Sequence, residues 1–599
     1  MTTDIVINYS RDSLFDELGI KRLKESYMKE DENSPQERFA HVSKAFGSNP
    51  EHAQRLYEYS SKHWLSYSTP ILSFGRSSRG LPISCFLPYL HDSAEGLVNC
   101  LAEVNWLSML GGGVGIGVGI RSSDDKSVGV MPHLRTYDAS SLAYRQGRTR
   151  RGSYATYLDI SHPDILLFLE MRKPTGDPNL RTLNLHHGIN IPDSFMQIVE
   201  RCMLDKDADD SWELKDPHNN EVREVVSAKD LWQRVLDIRM QTGEPYLHFI
   251  DASNRAMPQF QKDLGLSIKQ SNLCSEIILP TDKDRTAVCC LSSVNLEYFD
   301  EWKKDSLFLA DIAEMLDNVL QYFIDNAPAA VERARFSAIR ERSIGIGALG
   351  FHAYLQRNNV PFESALAVGR NRQIFKHIRD VLNVVNLKLG KERGEALDAV
   401  GTGQRFSHLM AVAPNASSSI IMGNTSPSIE PYRANAYRQD TLSGSSLAKN
   451  KWLDRVIEKY LAGDGETIST NDYNDIWSSI IANDGSVQHL TWMDDWTKDV
   501  FKTSMEIDQR WLVNHAADRQ EYIDQAQSLN LFFRPDVHIM YLHAVHFQAW
   551  KQGLKTLYYC RSEKIGKADK VSRRIEREVI KELDMKALID GDACLACEG

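Results

Sequence analysis

Nine cysteines in 599 residues are the side chains here best able to do chemistry. Two of them close the chain as Cys594-Leu-Ala-Cys597. A zinc ribbon would need a second CxxC or a histidine pair, and none lies nearby, so the pair fits thiol–disulfide exchange better than metal binding. A dithiol near a chain end can reach a buried disulfide and then swing out to an external reductant, which demands an inner pair to act on. Cys85, Cys100, Cys202, Cys274, Cys289, Cys290 and Cys560 are the candidates. Ser271-Asn-Leu-Cys274-Ser-Glu276-Ile-Ile-Leu-Pro280 reads as an extended run, in which Asn272, Cys274 and Glu276 share one face. An amide to hold a hydroxyl, a thiol as nucleophile or radical carrier and a carboxyl as base make a plausible site.

Other segments suggest anion binding. Ala413-Pro414-Asn-Ala416-Ser417-Ser418-Ser419 offers hydroxyls and backbone N–H groups at a predicted helix start. Gly111 to Arg121 has no frame reading G-x-G-x-x-G and follows a helix, so it is no dinucleotide fingerprint. Glycine at alternate positions from 113 to 119 instead bares one strand face for a ligand or another backbone. Asp92-Ser93-x-Glu95 resembles a capping box. Arg145, Arg148, Arg150 and Arg151 form a charged loop.

These groups need a scaffold, and the texture of the chain supplies one. Residues 1–60 read as helical, and 66–300 as short apolar runs alternating with amphipathic helices such as Ala94 to Leu110, the pattern of an α/β core. Residues 305–400 are mostly helical, 401–435 are loop-rich, and 561–590 carry a charge density suited to a solvated tether. A composition of 42% hydrophobic and 25% charged residues excludes disorder, collagen and coiled coil. A net charge of −11 provides no field for a nucleic-acid polymer, and no apolar run is long enough for a membrane helix. The odd cysteine count argues against a secreted disulfide framework, so cytoplasmic localisation is expected.

Asn272-Leu-Cys274-x-Glu276, Cys289-Cys-Leu-Ser-Ser-Val-Asn-Leu296, Ser84-Cys85-Phe-Leu, Lys551-Gln-Gly-Leu-Lys-Thr-Leu-Tyr558-Tyr559 and the terminal CLACEG occur in the order of one known family. Together they resemble the catalytic large subunit of class I ribonucleotide reductase. The resemblance implies an α/β fold, a ten-stranded barrel of two antiparallel five-stranded halves with a central finger loop. It also implies an N-terminal helical segment (1–65), the catalytic barrel with specificity site and helical insertions (66–560), and a tether with a flexible redox-active tail (561–599).

By the same resemblance Cys274 carries the thiyl radical, Cys85 and Cys289 supply two electrons by becoming a disulfide, and Cys290 is the less favoured neighbour. Glu276 exchanges protons with the 3′-hydroxyl, Asn272 orients the substrate, and Tyr558 and Tyr559 relay the radical. Cys594 and Cys597 re-reduce the inner pair. Thr69, Ser84, Gly113, Pro414, Ala416, Ser417 and Ser418 are implied substrate contacts. Asp92, Ser93, Arg121 and Arg150 belong to the implied effector site, where ATP or a deoxynucleoside triphosphate sets specificity.

Ribonucleoside diphosphates are the implied substrates and a metallo-radical small subunit holds the radical cofactor. The chain is expected to act as a homodimer, to be reduced by thioredoxin or glutaredoxin, and to hold no permanent cofactor or metal. Relatives switched on and off by ATP and dATP carry an N-terminal helical cone, whereas this match starts near residue 15, so control of specificity without that switch is expected. A cobalamin-dependent reductase is disfavoured by the tyrosine pair. A non-catalytic nucleotide sensor would have no use for the tail dithiol, nor a general dithiol oxidoreductase for the Asn-x-Cys-x-Glu group.

Overall fold

The computed structural model describes residues 4–76, 80–144, 152–205, 207–441, 444–463 and 470–562. Arg150, Cys594 and Cys597 lie outside them. Three helices lead in: α1 (Glu17–Ser26), α2 (Pro35–Phe46) and α3 (Pro50–Ser61). Asp16, Ser34 and Asn49 cap them with side-chain acceptors, and Pro35 and Pro50 sit in the first turns, where a missing N–H costs nothing.

One ten-stranded sheet organises the rest. Its strands are β1 (Leu65–Tyr67), β2 (Cys85–Leu87), β3 (Tyr89–His91), β4 (Gly113–Gly119), β5 (Tyr154–Asp159), β6 (Leu185–Ile191), β7 (Tyr246–Phe249), β8 (Ala287–Asn295), β9 (Ile344–Leu349) and β10 (Thr556–Leu557). The order is β1-β8-β2-β4-β5-β6-β7-β10, with β9 beside β8 and β3 beside β4. From β2 to β7 neighbours along this path run parallel, and this forms the first half of the barrel. Parallel neighbours need long crossovers, here supplied by helices such as Ala94–Met109 and Val130–Ala143. β8 runs antiparallel to β2 and parallel to β9, so the second half begins with reversed direction.

Alternation along the strands separates two apolar zones. Phe86, Val288, Cys290 and Leu247 join the large outer core, whereas Cys85, Leu87, Ala287, Cys289, Leu291, Ala155, Tyr157 and Tyr246 face inward. This inner zone also holds Leu273, Cys274, Tyr558 and Tyr559. A small separate core under the hairpin Ala436–Lys449 gathers Trp452, Ile457, Trp477 and Phe501.

Thr69 opens a helical turn, Thr69–Leu72, with Pro70 in its first turn. One local expectation is corrected. The cap of helix Ala94–Met109 is Ser93, whose side chain accepts from Gly96 N, so Asp92 is left outside the helix and available for other partners. No helix among the described residues is long and apolar enough to cross a membrane.

Candidate active site

Cys85 and Cys289 are direct partners in the β2–β8 ladder. Both are fully buried free thiols whose side chains enter the inner zone. Cys290, one residue on, turns to the outer core and pairs with Ile344 of β9, so strand alternation separates the two adjacent thiols.

Cys274 reaches this pair from a loop that follows β7. The stretch from Ser271 is not extended as expected. A turn closes where Ser275 N donates to Asn272 O at 3.3 Å, with Ser275 at φ +67° in the left-handed region. Asn272 Oδ1 accepts from Ile277 N at 3.0 Å, and Tyr157 donates to Asn272 O at 2.6 Å. The glycine strand explains how the loop fits: a Cβ on Gly115 would lie 2.3 Å from Ser271 O and 2.6 Å from Asn272 Cα. The bared face therefore admits another backbone.

The turn brings the polar groups together. Asn272 Nδ2 donates to Cys85 Sγ at 3.3 Å, and Cys85 Sγ lies 3.7 Å from Glu276 Oε1. Burial pushes the Glu276 carboxyl up to about 7, against opposing hydrogen bonds from Asn272, Ser528 and Cys85. Ser528 has one hydroxyl proton and two acceptors, the Cys274 carbonyl and Glu276 Oε2 at 3.2 Å. The hydroxyl can turn from the carbonyl to the carboxyl, and its hydrogen bond to Glu276 favours the ionised form. Opposite Asn272, Gln525 Nε2 donates to Cys289 Sγ at 3.3 Å.

Tyr558 and Tyr559 extend the zone toward the surface. Their ring centroids are 4.3 Å apart, and Tyr246 packs on both at 4.7 and 5.1 Å. Tyr559 Oη is 3.3 Å from His186 Nδ1, and the Arg561 guanidinium lies 4.1 Å over its ring. Burial, reinforced by the charge of Glu244, pushes the Tyr559 phenol above its ordinary range. Such a phenol keeps its proton until it loses an electron.

The Ala413–Ser419 segment starts a helix at Ala416, as expected. Asn415 does not cap it with its side chain, which donates instead to Ser293 Oγ and Ala348 O. One basic side chain serves this segment although the chain as a whole is acidic. Arg22 of α1 donates from Nη2 to Ser417 Oγ at 3.0 Å, and its buried Nε has no hydrogen-bond partner among the described residues. Thr69 Oγ1 lies 3.3 Å from Tyr27 Oη, and Ser84 Oγ accepts weakly from the Cys85 thiol at 3.6 Å. Gly113 pairs with Cys85 in the parallel β2–β4 ladder, and Pro414 O accepts from Ala416 N.

At the far end of β4, Arg121 Nε donates to Asp92 Oδ2 at 2.8 Å beside the Ser93 cap, while His218 Nδ1 lies 3.3 Å from the same oxygen. One group among the described residues has metal-ligand spacing, His52, Asp311 and Glu314, but Arg55 and Arg393 already neutralise its carboxylates.

Sequence reasoning missed Tyr246, Ser528, Gln525 and Arg22. The stretch from Gln525 to Asn530 did carry a signal: four polar residues among six, followed by the apolar Leu531, all buried. Polar groups in so apolar a setting must be satisfying one another or a ligand.

Family comparison agrees over nearly the whole chain. Residues 13–80 match the model of the "Ribonucleotide reductase, all-alpha domain", and 83–400 with 395–560 match the "Ribonucleotide reductase, barrel domain". A ribonucleoside-diphosphate reductase large subunit of Invertebrate iridescent virus 3 is 56% identical, with 95% of this chain and 97% of that protein covered. One from Caenorhabditis elegans is 30% identical, with 99% and 82% covered. The solved Actinobacillus ureae class Id ribonucleotide reductase alpha subunit superposes with a TM-score of 0.79 at 34% identity, covering 92% of this chain and 98% of that one.

Proposed function

This chain belongs to the ribonucleotide reductase large-subunit family, and we propose that its inner zone reduces ribonucleoside diphosphates through a radical on Cys274. The supporting observation is the convergence, in one enclosed zone, of Cys274, the facing pair Cys85 and Cys289, and the polar groups of Asn272 and Glu276.

A class I large subunit works with a small subunit that holds the radical cofactor. Tyr559 and Tyr558 pass the oxidising equivalent inward, each losing an electron and a proton together, until Cys274 is a thiyl. Cys274 abstracts the 3′-hydrogen of the ribose. Glu276, ionised for this step, accepts the 3′-hydroxyl proton as the 2′-hydroxyl, protonated by a thiol of the inner pair, leaves as water. Cys85 and Cys289 deliver two electrons and become a disulfide, and Cys274 returns the hydrogen to C3′. Cys594 and Cys597 then reduce the disulfide and are themselves renewed by thioredoxin or glutaredoxin.

Ser417 and Ser418, with Arg22 behind them, hold the diphosphate, joined by Thr69, Ser84, Gly113, Pro414 and Ala416. The site at Asp92, Ser93 and Arg121, completed by Arg150, takes a nucleoside triphosphate effector. Homodimerisation, cytoplasmic residence and division at 65 and 560 complete the reading.

The test is CDP reduction with a cognate small subunit and a dithiol, repeated with Cys274→Ala. The parent forms dCDP and the variant none. Product from the variant would refute the radical assignment.

A further inference from the structure

This inference rests on the proposed reading that Cys85 and Cys289 form a disulfide at each turnover. Each sulfur has one amide donor at 3.3 Å, Asn272 for Cys85 and Gln525 for Cys289. Their other contacts differ. Cys85 Sγ meets Glu276 Oε1 at 3.7 Å and Ser84 Oγ at 3.6 Å. Cys289 Sγ meets the Ser343 hydroxyl and the Cys290 carbonyl, each at 3.9 Å, and among the described residues none of its hydrogen-bond contacts is a carboxyl oxygen.

Gln525 is held in place from several sides. Its backbone N donates to Met410 O at 3.1 Å, Lys555 Nζ donates to its carbonyl, and its Nε2 also reaches Ile344 O at 3.2 Å. Gln525 is fully buried, so its amide cannot turn to water instead. Burial pushes the Cys289 thiol well above its ordinary value, and the Gln525 and Ser343 hydrogen bonds oppose that rise. A thiolate at this position therefore depends on the donors it is given.

We propose that Gln525 is a positioning residue that makes Cys289 the leaving sulfur when the Cys85–Cys289 disulfide is re-reduced by a dithiol. One thiolate of the dithiol attacks Cys85 Sγ and forms a mixed disulfide. The bond to Cys289 breaks and its electron pair stays on Cys289 Sγ, which accepts the Gln525 N–H and then takes a proton. The second thiolate of the dithiol displaces Cys85, whose sulfur takes the other proton. The dithiol ends as a disulfide, having passed two electrons and two protons to the inner pair. Attack on Cys289 would instead leave a thiolate on Cys85 in direct contact with the Glu276 carboxyl, which repels it when ionised and reaches Cys289 only through its longer-range charge.

Two measurements test this on the full chain with its small subunit. In the first, enzyme oxidised by one turnover without reductant is treated with a mass-tagged monothiol, acid-quenched and alkylated, and its peptides are mapped. The tag is expected on Cys85 with Cys289 released as a free thiol, and a tag mainly on Cys289 overturns the proposal. This arm needs no substitution.

In the second, Gln525→Met is carried through a first turnover from pre-reduced enzyme, whose product per site is the reference for its steady state. Its steady-state rate with a saturating small dithiol should fall about tenfold or more, the scale of a lost hydrogen bond to a charged group. An unchanged steady state, or a first turnover reduced as much as the steady state, overturns the proposal. If the pre-reduced parent itself makes no first-turnover product, it is the underlying reading that fails.

Discussion

Cys85 and Cys289 stand directly opposite each other in adjacent antiparallel strands. Opposed residues of such a ladder have Cα atoms about 4.5–5.5 Å apart. A disulfide needs about 4.4–6.8 Å, so the ladder register alone brings the pair within bonding range. Cys290 cannot compete, because its side chain leaves the opposite face of β8.

Peptide mapping after one turnover without reductant should therefore find Cys85 joined to Cys289 and Cys290 as a free thiol. Cys290→Ala should keep dCDP formation within about twofold of the parent, since it loses only a small buried side chain. Cys289→Ser should lose multiple turnover entirely. A disulfide between Cys85 and Cys290 would contradict the register argument.

The raised carboxyl of Glu276 predicts a pH dependence. As a base it works only when ionised, so kcat/KM for CDP should rise with pH through about 7 and flatten above it. The Ser528 hydrogen bond acts to lower this value. Ser528→Ala should therefore move the rising limb to higher pH, while Ser528→Thr should restore it. Initial rates from pH 5.5 to 9, at about half-unit steps, decide the matter. A limb that stays in place in the alanine variant would remove Ser528 from the account.

A phenylalanine at 558 or 559 keeps the ring packing seen at 4.3 Å but cannot be oxidised to a phenoxyl radical. Tyr558→Phe and Tyr559→Phe should each reduce turnover by at least about a thousandfold, the scale expected for loss of an obligatory chemical step. Binding of CDP, measured by calorimetry, should stay within about twofold, because neither ring contributes to the proposed phosphate contacts. Substantial turnover in either variant would show that the relay bypasses it.

How far the sequence discloses this site depends on whether local pattern or tertiary contact fixes each part. The alternation through Ala287 to Leu291 is local, and it separates Cys289 from Cys290 once β8 is known to have two buried faces. The alternating glycines are legible as a bare strand, but only packing reveals that Ser271 and Asn272 occupy the space. The turn at Ser275 was hidden because a serine at positive φ has no sequence signature and is imposed by the Tyr157 and Asn272 hydrogen bonds. Ser528 lies 254 positions from Cys274, and Arg22 lies 395 from Ser417, separations that no periodicity spans. The small core around Trp452 and Trp477 has no role in the proposed chemistry.

Arg22 gives the sharpest test of the phosphate cradle. The chain carries a net charge of −11, so a diphosphate must be attracted locally rather than by the overall field. α1 packs closely on the helix Ala416–Ile421, as shown by Gly19, where an added Cβ would lie 3.1 Å from Ile420 O. That packing holds the Arg22 guanidinium at Ser417, with its Nε unpaired among the described residues. An unpaired buried donor is costly unless a ligand satisfies it. Arg22→Met preserves the apolar stem while removing the charge. It should raise the KM for CDP by about ten- to a hundredfold, the value of one hydrogen bond between charged groups, with kcat changed much less. Arg22→Lys should recover part of the loss, because an ammonium supplies charge without the forked geometry. An unchanged KM in the methionine variant would assign Arg22 to packing between the two helices and leave the serines and backbone N–H groups to hold the diphosphate.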